Sequence, residues 1–577
     1  MNVHTRRQKG AIKTSLAEVP ELISPRVFFI LAMCLLAFTF AVYSPTLEFQ
    51  FVLDDHHFTR DPRIQSAGHV WGYFANYVWA QFTGGPSSFY RPLFILWLRI
   101  NFILSAMSPW GWHLLSITKH AAVAVLLGLL VWQLLRDRAA ALVAASWFAL
   151  HPAQTESVAW VTVPDPLMSL GVLGALFLYI RWEFGSSDGQ AGKKSLKATR
   201  TKKTNQSSTV WVIASALCCF AAMLAKETAI VLPAVILAMA LLKMRGDGED
   251  LGLESRLVRA FRQTFPYFCV TVFYLLMRFN ALGGRFGSLT QHLPWSTVLR
   301  SWPATLWFYV KVLLWPVRSR AFADPALAER FSFDGVLLPG LGVGCAAAIL
   351  SGGLFWAWRK ARRNLPHQDA ANVERALLMG TLLLVLPILL TLNLNALNPG
   401  DFLHGRYTYL PLAGLMLLMA TGWHLAGKLR VPLLYAGGLL TLVFAVLVVS
   451  QEKQWKDDLT VFTVAHQLAP HNAPVAQNLA NAHVQRALLL ADDGQCSEAM
   501  PVFETVTQDY PQEWYAWAGL GECFVQLNNL PKAEESLRRA VELSHDPHVT
   551  QQWQELRAQM GLPNSAPNDR QPPSRSQ

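Results

Sequence analysis

Long apolar runs recur along the first 450 residues, separated by short stretches where polar and charged residues gather. They occupy residues 27–43, 92–105, 113–135, 139–150, 164–182, 210–224, 230–242, 265–279, 302–315, 336–356, 377–392, 410–425 and 433–449. A bilayer core takes about 20 apolar residues per helix, so the pattern predicts an all-α, polytopic membrane domain over residues 26–450. Composition agrees: 52% of the residues are hydrophobic and 15% charged, where a soluble chain carries about a quarter charged. Mean hydropathy is +0.26.

The net charge of +11 does not point to nucleic acid, because the basic residues sit between apolar runs, as cytoplasmic loops require. Inside markers are the basic tail 1–25, Arg136 to Arg138, the cluster at 193–203, the stretch 243–262, Arg359 to Arg363 and Lys428 to Arg430. They agree if 92–105 and one segment between 265 and 315 do not fully cross, leaving about eleven spans. The first run is too long for a cleaved signal and reads as a first span with a cytoplasmic N-terminus. The chain is then a multi-pass protein of the cytoplasmic (inner) membrane. No charged residue is expected in the middle of a span.

From residue 451 charges rise and a repeat appears. Trp517, Leu520, Gly521, Phe524, Ala533, Leu537 and Ala540 fill seven of eight signature positions of a tetratricopeptide repeat. Leu479, Ala480, Ala499, Phe503 and Pro511 fit one unit earlier, with an insertion. Residues 451–562 are therefore expected to be tetratricopeptide repeats on the non-cytoplasmic side, and 563–577 a disordered tail. So few repeats call for a protein partner or the membrane domain to pack against. Cys496 and Cys523 can pair there in an oxidising compartment; the other five cysteines lie in apolar runs without metal spacing.

Polar clusters hard against apolar runs are functional candidates in a membrane protein. Asp54 and Asp55 lie in the first outer loop, 44–90. A partly desolvated carboxylate makes a general base, although two solvated acids would look the same. His56 and His57 follow, without a third cluster to complete a metal site. His151 and Glu156 flank a turn made by Pro152, and Asp165 begins the next run. Lys226 and Glu227 sit between two runs and read as a local ion pair or as an anionic headgroup site. His404, Arg406 and Tyr407 open a later run on the outer side, against the positive-inside bias. Bidentate phosphate binding is a natural reason for such a guanidinium, and Arg91 poses the same question.

The order Asp54-Asp55, Tyr90-Arg91-Pro92-Leu93, His151-Pro152 with Thr155-Glu156, Lys226-Glu227, and Arg406-Tyr407 with Tyr409-Leu410-Pro411, then repeats, resembles one family. It is that of the transmembrane-and-tetratricopeptide-containing O-mannosyltransferases and their bacterial relatives, within the type C glycosyltransferases. The resemblance implies a polyprenyl-phosphate sugar donor, mannose being one candidate sugar, and a protein or glycan hydroxyl acceptor on the non-cytoplasmic face. It implies inverting transfer with Asp54 or Asp55 as catalytic base. Arg406, with Lys226 and Arg91, would bind the donor phosphate; His151, Glu156, Glu227, His404 and Tyr407 would support them. No cofactor and no metal ligands are expected, the lipid-linked sugar being a substrate; a divalent metal is left open. The competing readings are an oligosaccharide ligase or polymerase using a lipid diphosphate, a non-catalytic membrane-anchored scaffold, and a transporter.

Overall fold

The computed structural model describes residues 22–80, 89–191, 201–246, 253–284, 293–317, 327–397, 403–544 and 546–563. The basic tail up to residue 21, residues 193–200 of the basic cluster and the C-terminal tail from 564 lie outside them. The chain divides into two compact units, with the change at Trp455 and Lys456.

Every apolar run becomes a helix. In chain order the first unit has α1 (Pro25–Tyr43), then α2 (Asp55–Thr59), α3 (Pro62–Gln65) and α4 (Gly72–Ala75) within the first loop. It continues with α5 (Pro92–Ser105), α6 (Pro109–Leu135), α7 (Arg138–Ala149), α8 (Thr155–Ala159), α9 (Asp165–Ala191), α10 (Thr201–Ala225) and α11 (Leu232–Gly246). It ends with α12 (Leu253–Ala281), α13 (Trp295–Leu314), α14 (Leu338–Asn364), α15 (His367–Thr391), α16 (Tyr409–His424) and α17 (Arg430–Glu452).

Six helical segments among the described residues are long and apolar enough to cross a membrane, with four shorter apolar ones. That is fewer than the eleven spans expected from the sequence, and length accounts for part of the difference. Helix α7 has 12 residues and reaches only about 18 Å at 1.5 Å per residue, short of a hydrocarbon core of about 30 Å; α5, already expected not to cross fully, has 14. Helix α16 has 16 residues and is almost wholly enclosed by protein.

Helices α6, α9, α15 and α16 form the centre of the unit, with α7 against α6 and α16, and α10 along α9. In α14 and α17, by contrast, Leu341, Ile349, Phe355, Leu439 and Val446 are exposed, as lipid-facing side chains should be. The expectation of no charge within a span fails: Lys119 lies midway along α6 and is buried. Glu183 on α9 also pairs with Arg375 on α15 at 3.0 Å, both buried. Such charges persist in an apolar interior only when opposite charge or carbonyl oxygens face them.

The first loop folds into a compact cap. Phe51, Phe58, Ile64, Tyr73 and Val78 pack with Phe94, Ile95 and Leu98 of α5 and Trp112 of α6. Arg63 ties it internally, donating to Asp61 at 2.6 Å and to the Val78 carbonyl at 2.5 Å.

The second unit contains α18 (Asp458–Leu468), α19 (Ala473–Asp492), α20 (Cys496–Asp509), α21 (Trp514–Gln526), α22 (Leu530–Ser544) and α23 (Pro547–Gln559). Small residues set its spacing: a Cβ on Gly521 would come within 2.6 Å of Leu537, so α21 and α22 approach closely only with glycine there. Cys496 and Cys523 form a disulfide between α20 and α21.

Candidate functional site

The acid pair sits on a tight turn. Leu53 adopts a left-handed φ of 55°, which folds the chain back so that Asp55 Oδ2 accepts from the Val52 amide at 3.2 Å. Asp55 Oδ1 accepts from both the hydroxyl of Thr162 at 2.6 Å and its amide at 3.1 Å. Asp55 is fully buried. Burial pushes its carboxyl up to about 7, against the pull of the Thr162 and Val52 donors. Asp54 differs: it stands at the start of α2, half-buried, and its side chain does not cap the helix. Adjacent in sequence, the two acids have different surroundings, one locked to backbone and hydroxyl donors and the other reaching the surface of the loop.

Thr162 belongs to the stretch between α8 and α9, which Glu156 on α8 and Asp165 at the start of α9 flank. Asp165 opens α9, and both its oxygens accept from Lys226 Nζ at 2.6 Å. Burial, with Arg91 and Arg406 nearby, lowers the Lys226 ammonium to about 8, Asp165 holding it from falling further. The ammonium also lies 4.9 Å from the centre of the Tyr407 ring. Lys119 sits beside the same group: its Nζ donates to the Val163 carbonyl at 3.4 Å and is within electrostatic reach of Asp165 and Asp55. It also approaches the Trp97 ring at 5.7 Å.

Glu156 organises the late cation. Its Oε1 is 3.0 Å from His404 Nδ1 and 3.7 Å from an Arg406 guanidinium nitrogen, and its Oε2 accepts from the Arg406 amide at 3.1 Å. Burial works against its charge, but His404 and Arg406 outweigh it and hold the carboxyl below its ordinary value. Gly405 leaves room for this approach, since a Cβ there would meet Glu156 Oε2 at 3.0 Å. The Arg406 guanidinium lies 4.4 Å from the centre of the Trp160 ring and 5.6 Å from that of Tyr407.

The sequence leaves Lys226 and Glu227 as a local ion pair or Lys226 as a site for an anionic headgroup, and the structure gives the two residues different partners. Lys226 turns to Asp165, while Glu227 accepts from Arg91 Nε at 2.9 Å and from the Tyr90 amide at 3.0 Å. His151 is buried, accepts from the Ala153 amide at 3.2 Å and packs on Phe444; burial lowers its ring to about 4. It is a neutral residue of the turn before α8. Among the described residues no group of three or more His, Cys, Asp or Glu is placed to hold a metal ion.

Asp165, Lys226, Tyr407, Arg406, Glu156 and His404 thus form one chain of contacts, the Arg91–Glu227 pair lies within electrostatic reach of Lys226, and the stretch before Asp165 binds Asp55 through Thr162. Sequence reasoning passed over Thr162, Trp160 and Lys119. Only Lys119 left a signal, a lysine inside an apolar run.

Comparison with known proteins places this arrangement. A tetratricopeptide-repeat family model matches residues 490–560. Human protein O-mannosyl-transferase TMTC1 is 26% identical over 527 residues, covering 83% of this chain and 55% of that protein. Mouse protein O-mannosyl-transferase TMTC3 is 23% identical over 474 residues, covering 79% and 48%. The chain is similar to these tetratricopeptide-containing O-mannosyltransferases over about four-fifths of its length. It spans about half the length of those two relatives. Among solved structures, the archaeal oligosaccharyltransferase AglB from Archaeoglobus fulgidus aligns over 78% of this chain and 59% of that one. At 13% identity and a TM-score of 0.42, that likeness is too loose to carry an argument.

Proposed function

We propose that this chain is a membrane glycosyltransferase that moves a sugar from a polyprenyl-phosphate carrier to an acceptor hydroxyl on the non-cytoplasmic face. The observation that carries the reading is the joining of Asp55, through Thr162, to the stretch that holds Lys226 by Asp165 and Arg406 by Glu156. An acid turn and several cations are thereby fixed to one short segment, as transfer from a phosphate-linked donor requires. The resemblance to O-mannosyltransferases supports the reaction class.

In this reading Asp54 is the base, because it reaches the loop surface while Asp55 is committed to Val52 and Thr162. Asp54 takes the proton of the acceptor hydroxyl, and that oxygen attacks the anomeric carbon from the face opposite the phosphate. The bond from that carbon to the phosphate oxygen breaks with its electron pair, leaving polyprenyl phosphate and inverting the centre. Arg406 stabilises the departing phosphate, held on the faces of Trp160 and Tyr407. Lys226 and Arg91, bound more closely by Asp165 at 2.6 Å and Glu227 at 2.9 Å than Arg406 is by Glu156 at 3.7 Å, set the positive field around it.

The disulfide of the repeat unit supports placing that unit on the oxidising side of the inner membrane, where its repeats can bind a protein partner. The test is incubation of the purified chain with a labelled polyprenyl-phosphate sugar and hydroxyl acceptors. Release of free polyprenyl phosphate with labelled acceptor is expected. Release of a diphosphate from a lipid-diphosphate glycan instead would favour a ligase, and no turnover with either donor a scaffold.

A further inference from the structure

Beside the Arg406 cluster, buried polar groups gather without partners. Gln154, Ser157 and Trp160 recur at every third residue from the turn before α8 to its C-terminal end, and Glu452 and Trp455 recur likewise from the end of α17 into the turn that follows it. Helix α8 and the turn before it pack on α17, and the rings of Trp160 and Trp455 stack with centroids 6.0 Å apart. Tyr43, at the end of α1, is in electrostatic contact with Glu452. Tyr43, Gln154, Ser157 and Glu452 are fully buried, and Trp455 nearly so. The Tyr43 hydroxyl, both polar atoms of the Gln154 amide, the Ser157 hydroxyl, both indole N–H groups and both Glu452 oxygens have no hydrogen-bonding partner among the described residues.

A buried polar atom left unpaired costs about 1–3 kcal/mol, and a whole protein is stable by only about 5–15 kcal/mol. So many in one seam cannot stay unsatisfied. The groups also say what satisfies them. Two indole N–H donors need an acceptor, and the Glu452 oxygens need a donor if ionised. An anion would be repelled by Glu452, and a cation would leave the indoles unpaired. A hydroxyl is both donor and acceptor and fits all of them.

We propose that the seam between Gln154–Trp160 and Glu452–Trp455, closed by Tyr43, is a binding site for hydroxyl groups that adjoins Arg406 across Trp160. Those hydroxyls come from ordered water or from a sugar ring. The sugar source rests on the transferase reading; the water source does not.

The experiment is thermal unfolding of the full chain in lipid nanodiscs, for wild type, Tyr43→Phe and Glu452→Leu, with and without methyl α-D-mannoside. Its readout is stability, so it is independent of whether transfer is observed. With hydroxyls bound in the seam, Tyr43→Phe lowers Tm by roughly 1 °C, the scale of about 1 kcal/mol in a chain of this length, and Glu452→Leu lowers it further. If the glycoside raises the wild-type Tm but not that of the variants, a sugar is the source; no glycoside effect with the same losses indicates water. A dry seam behaves in the opposite way, because removing an unpaired buried group relieves it. A Tm unchanged or raised in Tyr43→Phe therefore overturns the proposal, and that mild variant decides even if Glu452→Leu does not fold.

Discussion

Thr162 gives both its hydroxyl and its amide to one oxygen of Asp55, at 2.6 and 3.1 Å. Residues 107 positions apart in sequence are fixed to each other, and with them the first loop is fixed to the segment that carries Glu156 and Asp165.

The two acids should fail differently. Asp54→Asn removes the proposed base and is expected to lower turnover by about 10²–10⁴-fold, with donor affinity and Tm near wild type. Asp55→Asn presents an amide nitrogen where one of the Val52 and Thr162 donors points, so it should lower Tm as well as turnover. Side-by-side kinetics and unfolding curves separate the cases; the reverse pattern would assign the base to Asp55.

The buried acid also sets a pH dependence. Burial raises the Asp55 carboxyl from 3.8 to about 7, so it favours the fold most when protonated. That contribution is complete below its ordinary value and is lost as pH rises through about 7. Glu156, held low by His404 and Arg406, works oppositely: its contribution is present above its ordinary value and is lost on acidification below it. Wild-type Tm should therefore decline between about pH 4 and 7 relative to Asp55→Asn, in which that slope is removed. Parallel curves for the two proteins would contradict the assignment.

Arg406 should control donor binding. Its removal in Arg406→Ala takes away a charge-assisted contact of about 1.5–3 kcal/mol, so donor KM is expected to rise by roughly 10–100-fold with kcat less affected. Arg406→Lys should restore little, since a lysine cannot lie flat on Trp160 or grip a phosphate with two donors. A KM unmoved in both variants would remove Arg406 from the phosphate.

Lys119 is predicted to be structural in a specific way. Lys119→Met takes a buried cation from beside Asp55 and leaves the Val163 carbonyl without its donor, while Asp165 keeps Lys226, so a loss of about 1–3 kcal/mol is expected. Chemical denaturation measures it, and Lys119→Arg should recover part.

In the repeat unit, Cys496 and Cys523 close a loop of sequence separation 27, for which chain entropy gives about 3–4 kcal/mol. Cys496→Ser with Cys523→Ser should lower the unfolding midpoint of that unit by a corresponding amount, and reductant should do the same to wild type.

The helices were legible because a membrane helix must be apolar along its length, and each run from 27–43 to 433–449 became one. The repeat was legible because Gly521 and Leu537 must meet at fixed offsets. The count of spans was not, because α7 and α16 are apolar for another reason: protein, not lipid, surrounds much of them. The partners of the charges were hidden as well. Nothing local tells Lys226 to choose Asp165 over its neighbour Glu227, or Asp55 to choose Thr162. Those choices depend on which helix ends meet, and so does the burial of Lys119 among carboxylates.

The central claim is that Asp54 and Arg406 serve one donor site on the non-cytoplasmic face. Its most direct test uses Asp54→Cys and Arg406→Cys, each in a chain whose Cys34, Cys218, Cys219, Cys269 and Cys345 are replaced by alanine. Both are labelled with a membrane-impermeant maleimide in sealed vesicles of known orientation. The account predicts that both thiols react only from the non-cytoplasmic side and that a polyprenyl-phosphate sugar slows the reaction of the Asp54→Cys thiol, whose chain keeps Arg406. Reaction from opposite sides, or an Asp54→Cys thiol that the donor does not protect, would contradict it.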